Sequence, residues 1–229
     1  MDKQLGEVLA VFNGAGLCYW LDSGTLLGLM RDGRLLENDG DLDISLWEEE
    51  EEKLKAVLPR FRQMGYRIYT ASYSGQVFKY NLTPARRGLR TVDINIYRQS
   101  ATHAWCPMYY FRLRAAQRKR RRGKKKQLGG FLYRFLRAAW KCLNRRFAVH
   151  VSVDRLPWRL FLQIGTWWIP KDLYAGRVYL PGLQACVPEK WEEYLAFRYG
   201  DWQVPRADWV FYADDRGIRQ AAPEELIRK

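Results

Sequence analysis

Residues Tyr19 to Leu46 read YWLDSGTLLGLMRDGRLLENDGDLDISL and carry more position-specific chemistry than any other window of the chain. Leu17 to Leu21 is an apolar run suited to a strand. It breaks at Ser23-Gly24-Thr25, where a glycine between two hydroxyls suits a tight turn that opens a helix over Leu26 to Met30. Such a helix start presents free backbone N–H groups and the positive end of the helix dipole, so it can receive a phosphate. After Gly33 the chain turns back into Asp41-Leu42-Asp43-Ile44-Ser45-Leu46, where apolar and polar residues alternate. The two-residue period is that of a strand and puts both carboxylates on one face. Adjacent carboxylates repel unless a cation joins them, and hard oxygen ligands beside a phosphate site favour Mg²⁺ or Mn²⁺. The stretch reads as a metal-nucleotide site.

A third acid stands in Arg90-Thr91-Val92-Asp93-Ile94-Asn95-Ile96-Tyr97, again at a period of two. Asp93 and Asn95 share the polar face of this strand and Val92, Ile94 and Ile96 the apolar one. Asp41, Asp43 and Asp93 are therefore the candidate catalytic residues and metal ligands. Ser23, Gly24, Thr25 and Arg31 are the candidates for holding phosphate, Arg31 as an electrostatic clamp beyond the helix.

These residues resemble the LicD and fukutin-related family, whose hallmark is a G-[ST]-L-L-G-x-x-R-x-G segment leading to an acidic run that ends in D-x-D. Here it stands as Gly24-Thr25-Leu26-Leu27-Gly28-Leu29-Met30-Arg31-Asp32-Gly33, then Asp39-Gly40-Asp41-Leu42-Asp43. The tail of the family is similar to Val187-Pro188-Glu189-Lys190-Trp191-Glu192-Glu193-Tyr194-Leu195, followed by Tyr199-Gly200-Asp201-Trp202. Gly40 departs from the pattern, because family members commonly carry an acid there. The resemblance implies an α+β nucleotidyltransferase fold: a small mixed β-sheet with flanking helices, plus a C-terminal, mainly helical subdomain. It also implies an activity, in which a CDP-alcohol, CDP-choline foremost, gives its phospho-alcohol to a sugar hydroxyl of a cell-surface glycan precursor such as teichoic acid or lipopolysaccharide, and CMP leaves. On that reading Asp41 and Asp43 hold Mg²⁺ or Mn²⁺, Asp93 completes the shell or accepts the acceptor's proton, and Gly24 and Thr25 hold the diphosphate. Two alternatives stay open: a nucleotidyltransferase adding NMP to RNA or a small molecule, and an inactive nucleotide-binding protein.

The net charge of +14 over 229 residues looks like a nucleic-acid signature until it is located. Residues 112–146 hold fifteen Lys and Arg and no acid, which leaves 24 basic against 25 acidic residues elsewhere. Within that segment Arg134, Arg137, Lys141 and Arg145 recur at helical spacing, opposite Leu132, Phe135, Leu136, Ala139, Trp140 and Leu143. A basic amphipathic helix of this kind suits an anionic membrane surface near a lipid-linked glycan acceptor, and nucleic acid is the disfavoured partner. The chain divides accordingly into a catalytic core over 1–111, a basic amphipathic insertion over 112–150 and a helical region over 151–229 that completes the domain.

The opening MDKQLGEVLA lacks a signal peptide's basic start and apolar run, and no apolar stretch approaches membrane-spanning length. The expected location is cytoplasmic, peripheral on the inner face of the membrane. Cys18, Cys106, Cys142 and Cys186 are widely spaced, form no C-x-x-C pair and are expected as reduced thiols. Helices are expected over 2–13 and after Glu48 to Glu52, with Leu54, Val57, Leu58 and Phe61 buried. Strands are expected over 66–71, 76–82 and 88–97. His103 and His150 lack motif context and receive no role, and Trp167-Trp168 reads as core.

Overall fold

A computed structural model describes residues 2–111, 150–155 and 162–227, so the basic segment 112–146 lies outside the described residues. Helix α1 (Lys3–Gly14) starts where the Asp2 side chain accepts the Leu5 N–H at 3.0 Å, and it buries Leu5, Val8, Leu9 and Phe12. Then follow β1 (Tyr19–Leu21), α2 (Ser23–Asp32) and β2 (Asp41–Trp47). Gly28 is required by crowding: a Cβ there would lie 2.7 Å from the Arg34 carbonyl and 2.9 Å from the Leu36 nitrogen, because the returning chain runs directly over α2.

A 3₁₀ turn (Glu48–Glu50) leads into α3 (Glu51–Gln63), with acids in its first turn and Arg60 and Arg62 in its last, matching the helix dipole. Pro59 is accommodated inside α3, and Gly65 at φ +86° turns the chain into the sheet. Strands β3 (Tyr66–Tyr73), β4 (Gln76–Pro84), β5 (Thr91–Gln99) and β6 (His103–Phe111) follow. Beyond the basic segment come β7 (Val151–Ser152), β8 (Leu162–Pro170), a 3₁₀ turn (Lys171–Tyr174), β9 (Arg177–Leu180) and β10 (Ala185–Pro188). Helix α4 (Trp191–Tyr199), α5 (Phe211–Asp214), β11 (Ile218–Arg219) and α6 (Pro223–Ile227) complete the described chain.

Among the described residues nine strands form one mixed sheet in the order β11-β8-β6-β5-β4-β3-β7, with β2 branching from β5 and β1 pairing with β2. The pairs β2–β5 and β3–β7 are parallel and the others antiparallel. On the apolar side Leu42, Ile44 and Leu46 of β2 and Val92, Ile94 and Ile96 of β5 join the same buried core as Leu9 and Phe12 of α1 and Leu54 and Phe61 of α3. Each such side chain, fully removed from water, stabilises the fold by about 1.5–3 kcal/mol. The opposite side of the same strands is polar and faces a cavity.

The C-terminal region corrects the expectation of a mainly helical subdomain. Residues 162–170 are a strand that pairs with β6 over nine register positions, from Leu162↔Phe111 to Pro170↔His103. Ile164, Thr166, Trp167, Trp168 and Ile169 are β-branched or aromatic, residue types that pack well on a pleated surface. Among the described residues beyond 150, only α4 exceeds two helical turns. That helix is fastened by aromatic rings: Tyr174 lies 5.1 Å from Tyr194 and 4.9 Å from Trp20, and Trp20 lies 5.0 Å from Trp47.

Candidate active site

The register of three strand pairs sets four polar side chains in one row. Asp43 of β2 is the partner of Asp93 on β5, Asp93 of Asn81 on β4, and Asn81 of Tyr69 on β3. All four line a cavity of about 1160 Å³, together with Asp39, Asp41 and Lys79 and with Ser23 and Gly24 at the start of α2. Asp39, Asp41 and Asp43 each contribute a carboxylate oxygen to a group in which all lie within 4.8 Å of one another.

The turn at α2 is braced against these acids. The Asp43 N–H donates to Thr25 Oγ1 at 2.8 Å and the Asp22 N–H to the Asp43 carbonyl at 3.1 Å, so the helix start and the acidic strand move together. Gly24 is the point of closest approach: a Cβ there would lie 2.1 Å from Asp39 Oδ2. Asp39 is held in turn through its backbone carbonyl, which accepts from Arg90 at 2.8 Å. Ser23 adopts φ +48°, a left-handed conformation that residues with a side chain rarely take, and its Oγ accepts from Arg198 at 2.8 Å.

Arg198 anchors that corner. Its guanidinium and the carboxyls of Asp22 and Asp215 are buried, with Nη2 of Arg198 2.6 Å from Asp215 and Nη1 3.2 Å from Asp22. Asp22 also caps α2 by accepting the Ser23 N–H at 2.7 Å, and it accepts from Ser45 Oγ at 2.5 Å and from the Tyr194 hydroxyl. Trp167, expected as core, is half-buried, carries the Arg198 guanidinium 4.1 Å above its ring and lines the cavity.

Packing four acids together has an electrostatic consequence. Burial, then the hydrogen bond and charge of Asp39, push the Asp41 carboxyl up to about 7. Burial and the charges of Asp41, Asp39 and Asp93 raise Asp43 well above the carboxylate range. Burial also raises Asp93, with Lys79 opposing it. A divalent cation would relieve this repulsion, and three converging hard oxygen donors could hold Mg²⁺ or Mn²⁺.

Of the residues expected from sequence, Asp41, Asp43, Asp93, Ser23 and Gly24 line one cavity, and Thr25 lies behind it, buried. Arg31 is elsewhere: its guanidinium pairs with the adjacent Asp32 at 2.7 and 2.9 Å, and it is not among the lining residues. Asp93 faces the acids, but Asn81 Nδ2 donates to its Oδ1 and Lys79 Nζ pairs with its Oδ2. Asp39, a residue the sequence reading did not name as a ligand, stands in the trio beside Asp41 and Asp43. Its signal was available, because Asp39, Asp41 and Asp43 are themselves spaced by two. Lys79 and Asn81 share the polar face of QVFKYNL, whose apolar alternates Phe78, Tyr80 and Leu82 are buried. No local spacing points to Asp22, Arg198 or Asp215. His103 stacks on Trp168 at 4.7 Å and His150 bonds Thr70 and Ser72, both away from the cavity lining.

A glycine turn that opens a helix against clustered carboxylates on a mixed sheet defines a nucleotidyltransferase-type domain. Residues 16–122 match the family model of the LicD/FKTN/FKRP nucleotidyltransferase domain, and this match supports membership of the LicD family. An uncharacterized protein of Rickettsia typhi (strain ATCC VR-144 / Wilmington) is 39% identical over 79 residues, 34% of this chain and 22% of that protein. An uncharacterized protein of Rickettsia prowazekii (strain Madrid E) is 44% identical over 57 residues, 24% of this chain and 21% of that protein. The chain thus matches about a fifth of the length of these curated relatives. Among solved structures, the crystal structure of ANT(2")-Ia in complex with adenylyl-2"-tobramycin is 18% identical, covers 44% of this chain and 53% of that one, and has a TM-score of 0.31.

Proposed function

We propose that the chain is a metal-dependent transferase that moves a phospho-alcohol, phosphocholine foremost, from a CDP-alcohol to a sugar hydroxyl of a cell-surface glycan precursor. The observation that carries this reading is the convergence of the Asp39, Asp41 and Asp43 oxygens beside the Ser23-Gly24 turn. The match of residues 16–122 to the LicD family model supports the transfer of a phosphorus-containing group, and the resemblance of the motifs supports the CDP-alcohol donor.

In the reaction a bond forms between the acceptor oxygen and the β-phosphorus of the donor. The bond from that phosphorus to the bridging oxygen breaks, and CMP leaves with the bridging oxygen. Mg²⁺ or Mn²⁺ held by Asp39, Asp41 and Asp43 supplies charge neutralisation at the diphosphate. Around it the backbone N–H groups of Gly24 and Thr25 donate to phosphate oxygens at the positive end of α2. Arg198 fixes the conformation of that turn from behind through Ser23 and Asp22. Asp93 takes the proton of the attacking hydroxyl, with Lys79 and Asn81 fixing its orientation. The basic segment 112–146 holds the enzyme on anionic lipid, close to a lipid-linked acceptor. No helix among the described residues is long and apolar enough to cross a membrane.

The test is nucleotide selectivity followed by turnover. In Mg²⁺, CDP-choline, CDP-ribitol or CDP-glycerol raises the thermal midpoint of the protein and ATP and GTP do not, and CMP is released when an acceptor glycan is added. Protection by ATP or GTP alone contradicts the assignment.

A further inference from the structure

The four carboxylates of the cavity are not equivalent. Asp39, Asp41 and Asp43 turn oxygens toward one another, whereas both oxygens of Asp93 are engaged, Oδ1 by the Asn81 amide and Oδ2 by the Lys79 ammonium. Lys79 is the partner of Asn95 in the β4–β5 register, two residues along β4 from Asn81, so its side chain issues on the acidic face of the sheet. Asp93 restrains it there: burial alone would pull the ammonium down, and the charge and hydrogen bond of Asp93 hold it in the charged form. Phosphoryl-transfer sites with two metal ions place them about 3.5–4 Å apart, with carboxylates shared between them. In this chain one oxygen of Asp93 is paired with an ammonium and the other with an amide.

We propose that Lys79 is the fixed second cation of the site: it positions Asp93 and leaves Asp39, Asp41 and Asp43 as a centre for a single divalent ion. This rests on the reading of the acid trio as a metal site. Lys79 acts as a positioning residue for Asp93 and sets a positive charge beside it on the acidic face of the sheet. The arrangement separates two roles that the strand pattern merges, since Asp93 then serves the acceptor and not the metal.

The test is Mn²⁺ binding to the full chain, followed by electron paramagnetic resonance with CDP present, in the wild type and in Lys79→Met, Asp93→Asn and Asp43→Asn. The wild type binds one Mn²⁺ per chain. Asp93→Asn keeps that stoichiometry while transfer falls by about a hundredfold or more, the scale of a lost general base. Lys79→Met binds Mn²⁺ more tightly, by about tenfold, because a nearby positive charge is gone, yet transfers more slowly. A side chain that merely held the fold would weaken both. Two ions on the wild-type chain, loss of the ion in Asp93→Asn, or weaker binding in Lys79→Met overturns the inference and leaves the metal reading standing. No bound ion on the wild type overturns the metal reading itself, and the inference with it.

Discussion

Arg198 and Asp22 lie 176 residues apart in the chain and form a buried ion pair at 3.2 Å. Through it the last long helix reaches the turn that opens α2, and Asp215 completes the neutralisation at 2.6 Å. Removing one member of a buried pair leaves an uncompensated charge, a loss of about 3–5 kcal/mol. Arg198→Met is therefore expected to lower unfolding stability by that amount in denaturant titration. Arg198→Lys recovers little of it, because an ammonium cannot reach Asp215, Asp22 and Ser23 together as a planar guanidinium does.

Two glycines of the same motif should behave oppositely. At Gly24 a methyl group meets Asp39 Oδ2 at 2.1 Å, whereas at Gly40 it meets nothing within 4 Å. Gly24→Ala is expected to push the Asp39 carboxylate out of the acid trio and weaken Mn²⁺ affinity, with only a small cost to the fold because the displaced atom is the end of a flexible side chain. Gly40→Ala should change stability by less than about 0.5 kcal/mol. Paired thermal melts and Mn²⁺ titrations of the two variants check this, and equal effects on Mn²⁺ affinity would remove the steric account.

The acid cluster also sets a pH dependence. Asp41 rises from its ordinary 3.8 up to about 7, and Asp43 is raised too, so between those values the folded chain holds protons that the unfolded chain has released. Unfolding free energy then falls as pH rises from about 4 through about 7. A divalent ion binds the ionised carboxylates and should cancel the decline. Melting curves in chelator from pH 5 to 8 are expected to drift downward, and in Mn²⁺ to drift much less. A midpoint in chelator that climbs with pH across this range would be the wrong sign.

The order of elements over the first hundred residues and the acidic face of the site follow directly from two-residue alternation around Asp41, Asp43 and Asp93, and the register then sets Asp43 beside Asp93. What pattern alone could not show was how side chains from different strands pair across that face. Asp93 reads as a metal ligand from its strand face, and nothing local reveals that Lys79 and Asn81 also bond its oxygens. The helical expectation after residue 150 failed for a related reason. Aromatic-rich runs suit a buried strand as well as a buried helix, and nine residues of pairing with β6 decided in favour of the strand. Arg198, Asp22 and Asp215 are invisible to spacing because their relation is wholly tertiary.

The basic segment makes a separate forecast. Fifteen positive charges without an acid over 112–146, each contributing about 1 kcal/mol near an anionic surface, should make the protein sediment with anionic vesicles and dissociate as salt is raised. Replacing Phe135 and Trp140 with Ser should weaken vesicle binding while transfer to a soluble acceptor analogue persists. Binding to RNA that competes with vesicles, or no preference for anionic over neutral vesicles, would reject the membrane role.

The central claim is that the acid trio carries a divalent ion that in turn carries the donor, and calorimetric titration of CDP-choline into the protein tests it most directly. The account predicts binding in Mg²⁺ that vanishes in chelator and in Asp43→Asn, with the melting transition of that variant still cooperative. CDP-choline binding equally well in chelator, or in Asp43→Asn, would contradict it.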